Sequence, residues 1–209
     1  MSYIDTVRNY CEKHKYEMLE VANVKGKEFA DIPYKTLLKI LNRLEGEQVI
    51  TGVSRGIYFI GKRYVSEERI ISKYTNDGRG MLVGYSLFNN IGLTDFQDDK
   101  IEVFTNAITA NQHTIGRISL KRVDLKFNNA MVDLISLMEI IDAGYDIVDC
   151  NYVAYIEIES LLCKSYTDDL FNKIVKAIKY KYSTILRLSQ LLDQYRIGNI
   201  CLDLYKEEI

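Results

Sequence analysis

Lys35, Thr36, Lys39, Asn42, Arg43, Arg55, Lys62 and Arg63 share one kind of chemistry within the first third of the chain. Lysine and arginine neutralise phosphates and can donate to guanine edges, while asparagine and threonine read bases at short range. Lys35 and Lys39 are four residues apart and so lie on one side of a helix. Thr36 and Arg43 fall nearly in register with them. A helix seated in the major groove of double-stranded DNA needs this arrangement. The bland alternative is a solvated helix face, since basic residues opposite a leucine stripe are common. Arg55 shifts the balance, because it falls between Ser54 and Gly56, at the expected tip of a hairpin. A side chain there can enter the minor groove or meet a phosphate. Lys62 and Arg63 follow the second strand, within reach of the DNA backbone.

The elements that must hold these side chains are legible nearby. Pro33 is the only proline in the chain, and proline is favoured at the first position of a helix. Tyr34, Leu37, Leu38, Leu41 and Leu44 then recur at helical spacing as one apolar stripe. Gly46 is expected to end that helix. Val49–Val53 and Ile57–Ile60 are β-branched and aromatic runs on either side of Ser54-Arg55-Gly56, the composition of a hairpin. Upstream, residues 3–14 read as a first helix with Tyr3, Val7, Tyr10 and Cys11 on its apolar face. Residues 23–28 read as a turn and 28–32 as one helical turn. Helix, turn, helix and hairpin is the winged helix-turn-helix order, so residues 1–64 are expected to form a DNA-binding domain. Charge agrees: residues 1–64 carry 11 Lys and Arg against 8 Asp and Glu, whereas 65–209 carry 16 against 21. A basic end on an acidic body suits a local DNA-binding module.

The segment KEFADIPYKTLLKILNRLEGEQVITGVSRGIYFIGKRY resembles the N-terminal winged helix of AbiEi-type antitoxins of type IV toxin–antitoxin systems. The resemblance rests on Leu41-Asn42-Arg43-Leu44, Ile50 and Ser54-Arg55-Gly56-Ile57-Tyr58. It continues more loosely through Gly84–Phe96 (GYSLFNNIGLTDF). The chain departs from that family in a less basic wing, with a single arginine at its tip. The resemblance implies an autoregulating repressor that binds its own operator and counters a nucleotidyltransferase-like toxin. An alternative is a protein-interaction module that neutralises such a toxin without touching DNA.

Residues 65–78, charged and rich in turn formers, read as a linker. Residues 79–209 read as a mixed α/β domain, making the chain α+β. Lys100–Thr105 alternates as a strand should, Thr114–Leu120 reads as another strand, and Lys121–Phe127 extends the sheet. Asn129–Ala143 reads as an amphipathic helix ending at Gly144. Thr167 has the character of an N-cap, followed by Asp168 and Asp169 in the favourable first turn. The helix after it is expected to run to about Tyr195, with Lys173, Lys176, Lys179 and Lys181 as a basic stripe. Tyr145, Tyr152, Tyr155, Tyr166, Tyr180 and Tyr182 are of a type enriched at protein interfaces.

Several classes are not expected. No apolar run is long enough to span a membrane, and the N-terminus lacks the apolar stretch of a secretory signal. A cytoplasmic location follows as an expectation. Cys11, Cys150, Cys163 and Cys201 form no CxxC pair and, with His14 and His113, write no zinc pattern. They read as reduced thiols, and no cofactor is expected. An enzymatic reading would use Gly84-Tyr85-Ser86 on phosphates and carboxylates among Asp98, Asp99 and Glu102 on magnesium, as in nucleotidyltransferases. Residues three apart on a strand face opposite sides, so Asp99 and Glu102 make a poor pair. The chain is therefore read as a non-enzyme.

Overall fold

Helix α1 (Tyr3–Lys13) begins on a reciprocal cap. The Asp5 backbone N–H donates to the Ser2 hydroxyl at 3.3 Å, and the Ser2 backbone N–H donates to the Asp5 carboxylate at 3.2 Å. The computed structural model describes residues 2–62 and 65–207, an α+β chain. Arg63 lies outside the described residues. The chain divides into two compact units, Met1–Ile70 and Ile71–Ile209.

In the first unit α1 is followed by β1 (Met18–Glu20), α2 (Val21–Lys25), α3 (Tyr34–Gly46), β2 (Ile50–Ser54) and β3 (Ile57–Ile60). The three strands form one antiparallel sheet in the order β1-β3-β2. Val7 and Cys11 of α1, Val21 and Val24 of α2, and Leu37, Ile40, Leu41 and Leu44 of α3 converge with Leu19, Ile50 and Ile60 in one core. Burying each large aliphatic side chain stabilises by roughly 1.5–3 kcal/mol.

Several elements of this unit differ from the expectation. Strand β1 was not expected, because three residues are too few to show a period. The short helix lies at Val21–Lys25, while residues 26–31 form turns, the reverse of the expected order. Ile40 is buried in α3, whereas Tyr34 is 55% exposed and Leu38 only half-buried, so the apolar stripe is rotated by part of a turn. Pro33 occupies the N-cap rather than the first helical position. The helix does end at Gly46, but the residue that turns the chain is Gln48, with a left-handed φ of 58°. The Val49 N–H donates to the Leu44 carbonyl and the Gln48 N–H to the Glu45 carbonyl, both at 2.9 Å. This is a Schellman ending that uses glutamine where glycine is usual.

The segment read as a linker carries α4 (Glu67–Thr75) and a 3-10 turn at Asn76–Gly78. Within the first unit, the Arg69 guanidinium sits 5.1 Å from the centre of the Phe59 ring and donates to the Tyr16 carbonyl. Within the second, Tyr74 is buried and its carbonyl accepts from the Thr105 hydroxyl at 2.8 Å. Contacts distant in sequence thus order a stretch whose composition alone suggests none.

The second unit holds β4 (Gly80–Val83), α5 (Gly84–Asn90), β5 (Ile101–Thr105), β6 (Gln112–Ile115) and β7 (Ile118–Arg122). Its sheet runs β4-β5-β7-β6, with β5 and β7 parallel and the outer pairs antiparallel. The single strand expected at 114–120 is a hairpin, because Gly116 takes φ 58° and turns the chain. The sheet ends at Arg122 rather than extending to Phe127. Helix α6 (Asn129–Ala143), starting on an Asn128 cap and ending at Gly144, is the centre of the unit. It is not amphipathic: Met131, Leu134, Ile135, Ser136, Leu137, Met138, Ile140 and Ile141 are buried around its circumference. Helices α7 (Tyr152–Leu162), α8 (Asp168–Ala177), α9 (Tyr182–Gln194) and α10 (Cys201–Glu207) follow. The Thr167 hydroxyl caps α8 by accepting from Leu170 N–H at 3.2 Å. The expected long helix is two, since Ile178 is extended and the chain turns where Tyr180 donates to half-buried Glu139 at 2.9 Å. Tertiary hydrogen bonding outweighs helical periodicity there.

Candidate nucleic-acid interface

Helix α3 separates its residues cleanly. Leu37, Ile40, Leu41 and Leu44 point into the core, and Lys35, Thr36, Lys39, Asn42 and Arg43 occupy an outward arc of roughly 120°. Lys35, Lys39, Asn42 and Arg43 are exposed and Thr36 is half-buried. Among the described residues, Lys35 and Lys39 have no ion-pair partner, so their charge is open to a ligand.

Arg43 is held differently. Its Nε donates to Glu47 at 2.9 Å, and Arg8 of α1 donates to the other oxygen of the same carboxylate at 2.6 Å. The bond from Arg43, then that from Arg8, holds the Glu47 carboxyl below its ordinary range. One carboxylate between two guanidiniums leaves a net positive cluster. Arg8 is a member the sequence reading missed, because it lies 39 residues from its partner and no local pattern marks it.

Arg55 and Gly56 form the two-residue turn between β2 and β3, where the sequence placed it, and Arg55 is exposed. Gly56 takes φ 75°, which a side chain resists. The turn is not a free loop: the Gly56 carbonyl accepts from the Val21 N–H at 2.9 Å, seating the tip at the start of α2. The hairpin is also fixed to α3. The Gly52 N–H donates to the Glu45 carboxylate at 2.9 Å, and a Cβ on Gly52 would lie 2.5 Å from that oxygen. Burial, then the nearby Glu45 charge and Tyr34, push the Tyr58 phenol up. Lys62, after β3, is exposed.

The second unit does not gather the lysines into a stripe. Lys173 is paired with Asp169 at 2.6 Å, and Lys181 lies 3.8 Å from Asp142 beyond the break between α8 and α9. Gly84 opens α5 with φ 59°, close to the Glu102 carboxylate of β5, while Asp99 is exposed ahead of that strand. Among the described residues no three His, Cys, Asp or Glu side chains gather to hold a metal. Cys11, Cys163 and Cys201 are buried free thiols, and Cys150 is half-buried. Among the described residues no helix is long and apolar enough to cross a membrane. No protein-family model matches the chain, and no curated protein matches it.

Proposed function

We propose that the first unit is a winged helix-turn-helix that binds double-stranded DNA, in a chain acting as a transcriptional repressor. The observation that carries this reading is the outward arc of α3. Lys35 and Lys39 are open, Arg43 stands beside Arg8, and Thr36 and Asn42 lie among them, all opposite a continuous leucine and isoleucine face. The order α1-β1-α2-α3-β2-β3 with its β1-β3-β2 sheet supports it as well. In this reading α3 enters the major groove, Arg55 meets a phosphate or the minor groove from the adjoining turn, and Lys62 and Arg63 touch the backbone. The narrower proposal, an autoregulating type IV antitoxin paired with a nucleotidyltransferase-like toxin, rests on the sequence resemblance alone.

A gel shift on the DNA upstream of the chain's own gene tests the reading. Binding that weakens steeply with salt is expected. Absence of a shift at low salt would end it. Co-purification with a neighbouring gene product without a shift would favour the interaction-module alternative instead.

A further inference from the structure

Helices α7 and α9 both pack on α6, and the three together line an open cavity of about 350 Å³. That is the lower end of the roughly 300–1,000 Å³ of small-ligand pockets. The end of α6 contributes Ile141 and Gly144, and α9 adds Leu191. Arg187, Gln190 and Gln194 line it from one side of α9, spaced three and four residues apart. Tyr155 and Glu159, four residues apart, line it from α7. Two opposite charges thus border one cavity without meeting. Among the described residues Arg187 forms no hydrogen bond or ion pair, and neither do Gln190 and Gln194. The guanidinium rests against Gly144, where a Cβ would lie 2.8 Å from its Nη1. Burial pushes the Glu159 carboxyl up, with the Tyr155 hydroxyl beside it opposing. A cation in contact would have lowered it.

We propose that this cavity binds a free amino acid, its carboxylate on Arg187 and its ammonium on Glu159. The planar guanidinium fork matches a carboxylate. An ammonium only donates and a carboxylate only accepts, so each charge of the site meets its complement. A neutral ligand would leave both charges of the site uncompensated, and a phosphate would be repelled by Glu159. Gln190 and Gln194 can both donate and accept, which suits them to the ligand's side chain. Ile141, Leu191 and the Tyr155 ring offer apolar surface to its carbon atoms. The site lies wholly in the second unit and does not depend on DNA binding by the first.

Calorimetric titration of the full chain with each standard amino acid, and with γ-aminobutyrate, tests it. At least one should bind with a Kd of about 1 mM or tighter and raise the Tm. The amide of that amino acid, which lacks the carboxylate, should bind at least about 10-fold more weakly, the loss of one charge-assisted hydrogen bond. The deaminated acid, which lacks the ammonium, should lose as much. Arg187→Gln and Glu159→Gln should each weaken binding to the same degree. Arg187 is exposed and glutamine at 159 keeps an acceptor beside Tyr155, so the far-UV spectra of both variants should match the parent. The amide and the deaminated acid are read on the parent chain alone, so the test holds even where a variant fails to fold. Absence of binding by every compound at about 10 mM, ten times a millimolar Kd, overturns the proposal. So does binding that survives both variants, or an amide or deaminated acid that binds as tightly as the amino acid itself.

Discussion

The Glu45 carboxylate reaches from the last turn of α3 to the backbone N–H of Gly52 in β2, at 2.9 Å. Helix and hairpin are thereby joined at a point where a Cβ on residue 52 would meet that carboxylate oxygen at 2.5 Å, so the exposed Glu45 side chain would have to swing aside. Gly52→Ala should therefore swing Glu45 aside and lower stability by at most about 1 kcal/mol, the loss of one exposed hydrogen bond, read as a reduced urea midpoint. Combined with Glu45→Ala it should cost less than the two single substitutions together, because both act on one contact. Strict additivity would show that the contact does not link the two elements.

Glu47 holds Arg8 and Arg43 on one carboxylate. Removing its charge leaves both guanidiniums free for phosphate. Glu47→Gln should tighten DNA binding and steepen the slope of log K against log salt by about one, while Lys39→Ala should flatten it by about one. Fluorescence anisotropy across a salt series measures both. A Glu47→Gln protein with the parent's slope would place Arg8 and Arg43 away from the DNA.

Gln48 ends α3 in a left-handed conformation at φ 58°, which costs a side-chain residue about 1–2 kcal/mol. Glycine gives back part of that gain through its freer unfolded state. Gln48→Gly should raise stability by about 0.5–1 kcal/mol in chemical denaturation. Destabilisation would mean that the glutamine side chain does more than occupy the turn.

Glu139 is pushed up to about 7, chiefly by burial, partly offset by the Tyr180 hydroxyl, with the charges of Asp142 and Glu102 adding to the rise and Lys121 opposing it. Unfolded, it titrates near 4.5. Between these values the folded chain keeps a proton that the unfolded chain has released. Stability from this group is therefore complete below the unfolded value and is lost as pH rises through the folded one. Glu139→Gln keeps an acceptor for Tyr180 and removes the titration. It should flatten the fall in stability between pH 5 and 8 and raise stability at pH 8 by about 2–3 kcal/mol. Thermal melts across that range provide the check.

The legible parts of the fold are those fixed by local spacing. The hairpin around Arg55, the start of α8 at Thr167 and the span of α6 each depend on residues within one turn of one another, and each stands where the sequence puts it. What was not legible depends on distant partners. Strand β1 exists because β3 lies beside it. The break after Ala177 and the order in α4 depend on Glu139, Phe59 and Thr105, between 10 and 41 residues away. The basic face of α3 could be read from spacing, but Arg8 and the tie between Glu45 and Gly52 could not.

The buried thiols give each unit an internal reporter. Burial pushes the Cys11 thiol up to about 11 in the first unit and Cys163 up to about 12 in the second. Neither is an effective nucleophile at neutral pH while its surroundings stay closed. Alkylation with mass detection therefore clocks local opening near α1 and near α7 independently, in the unmodified chain. Half-buried Cys150 marks the fast background. The sequence of events as the chain loosens can be followed without attaching a dye or inserting a label.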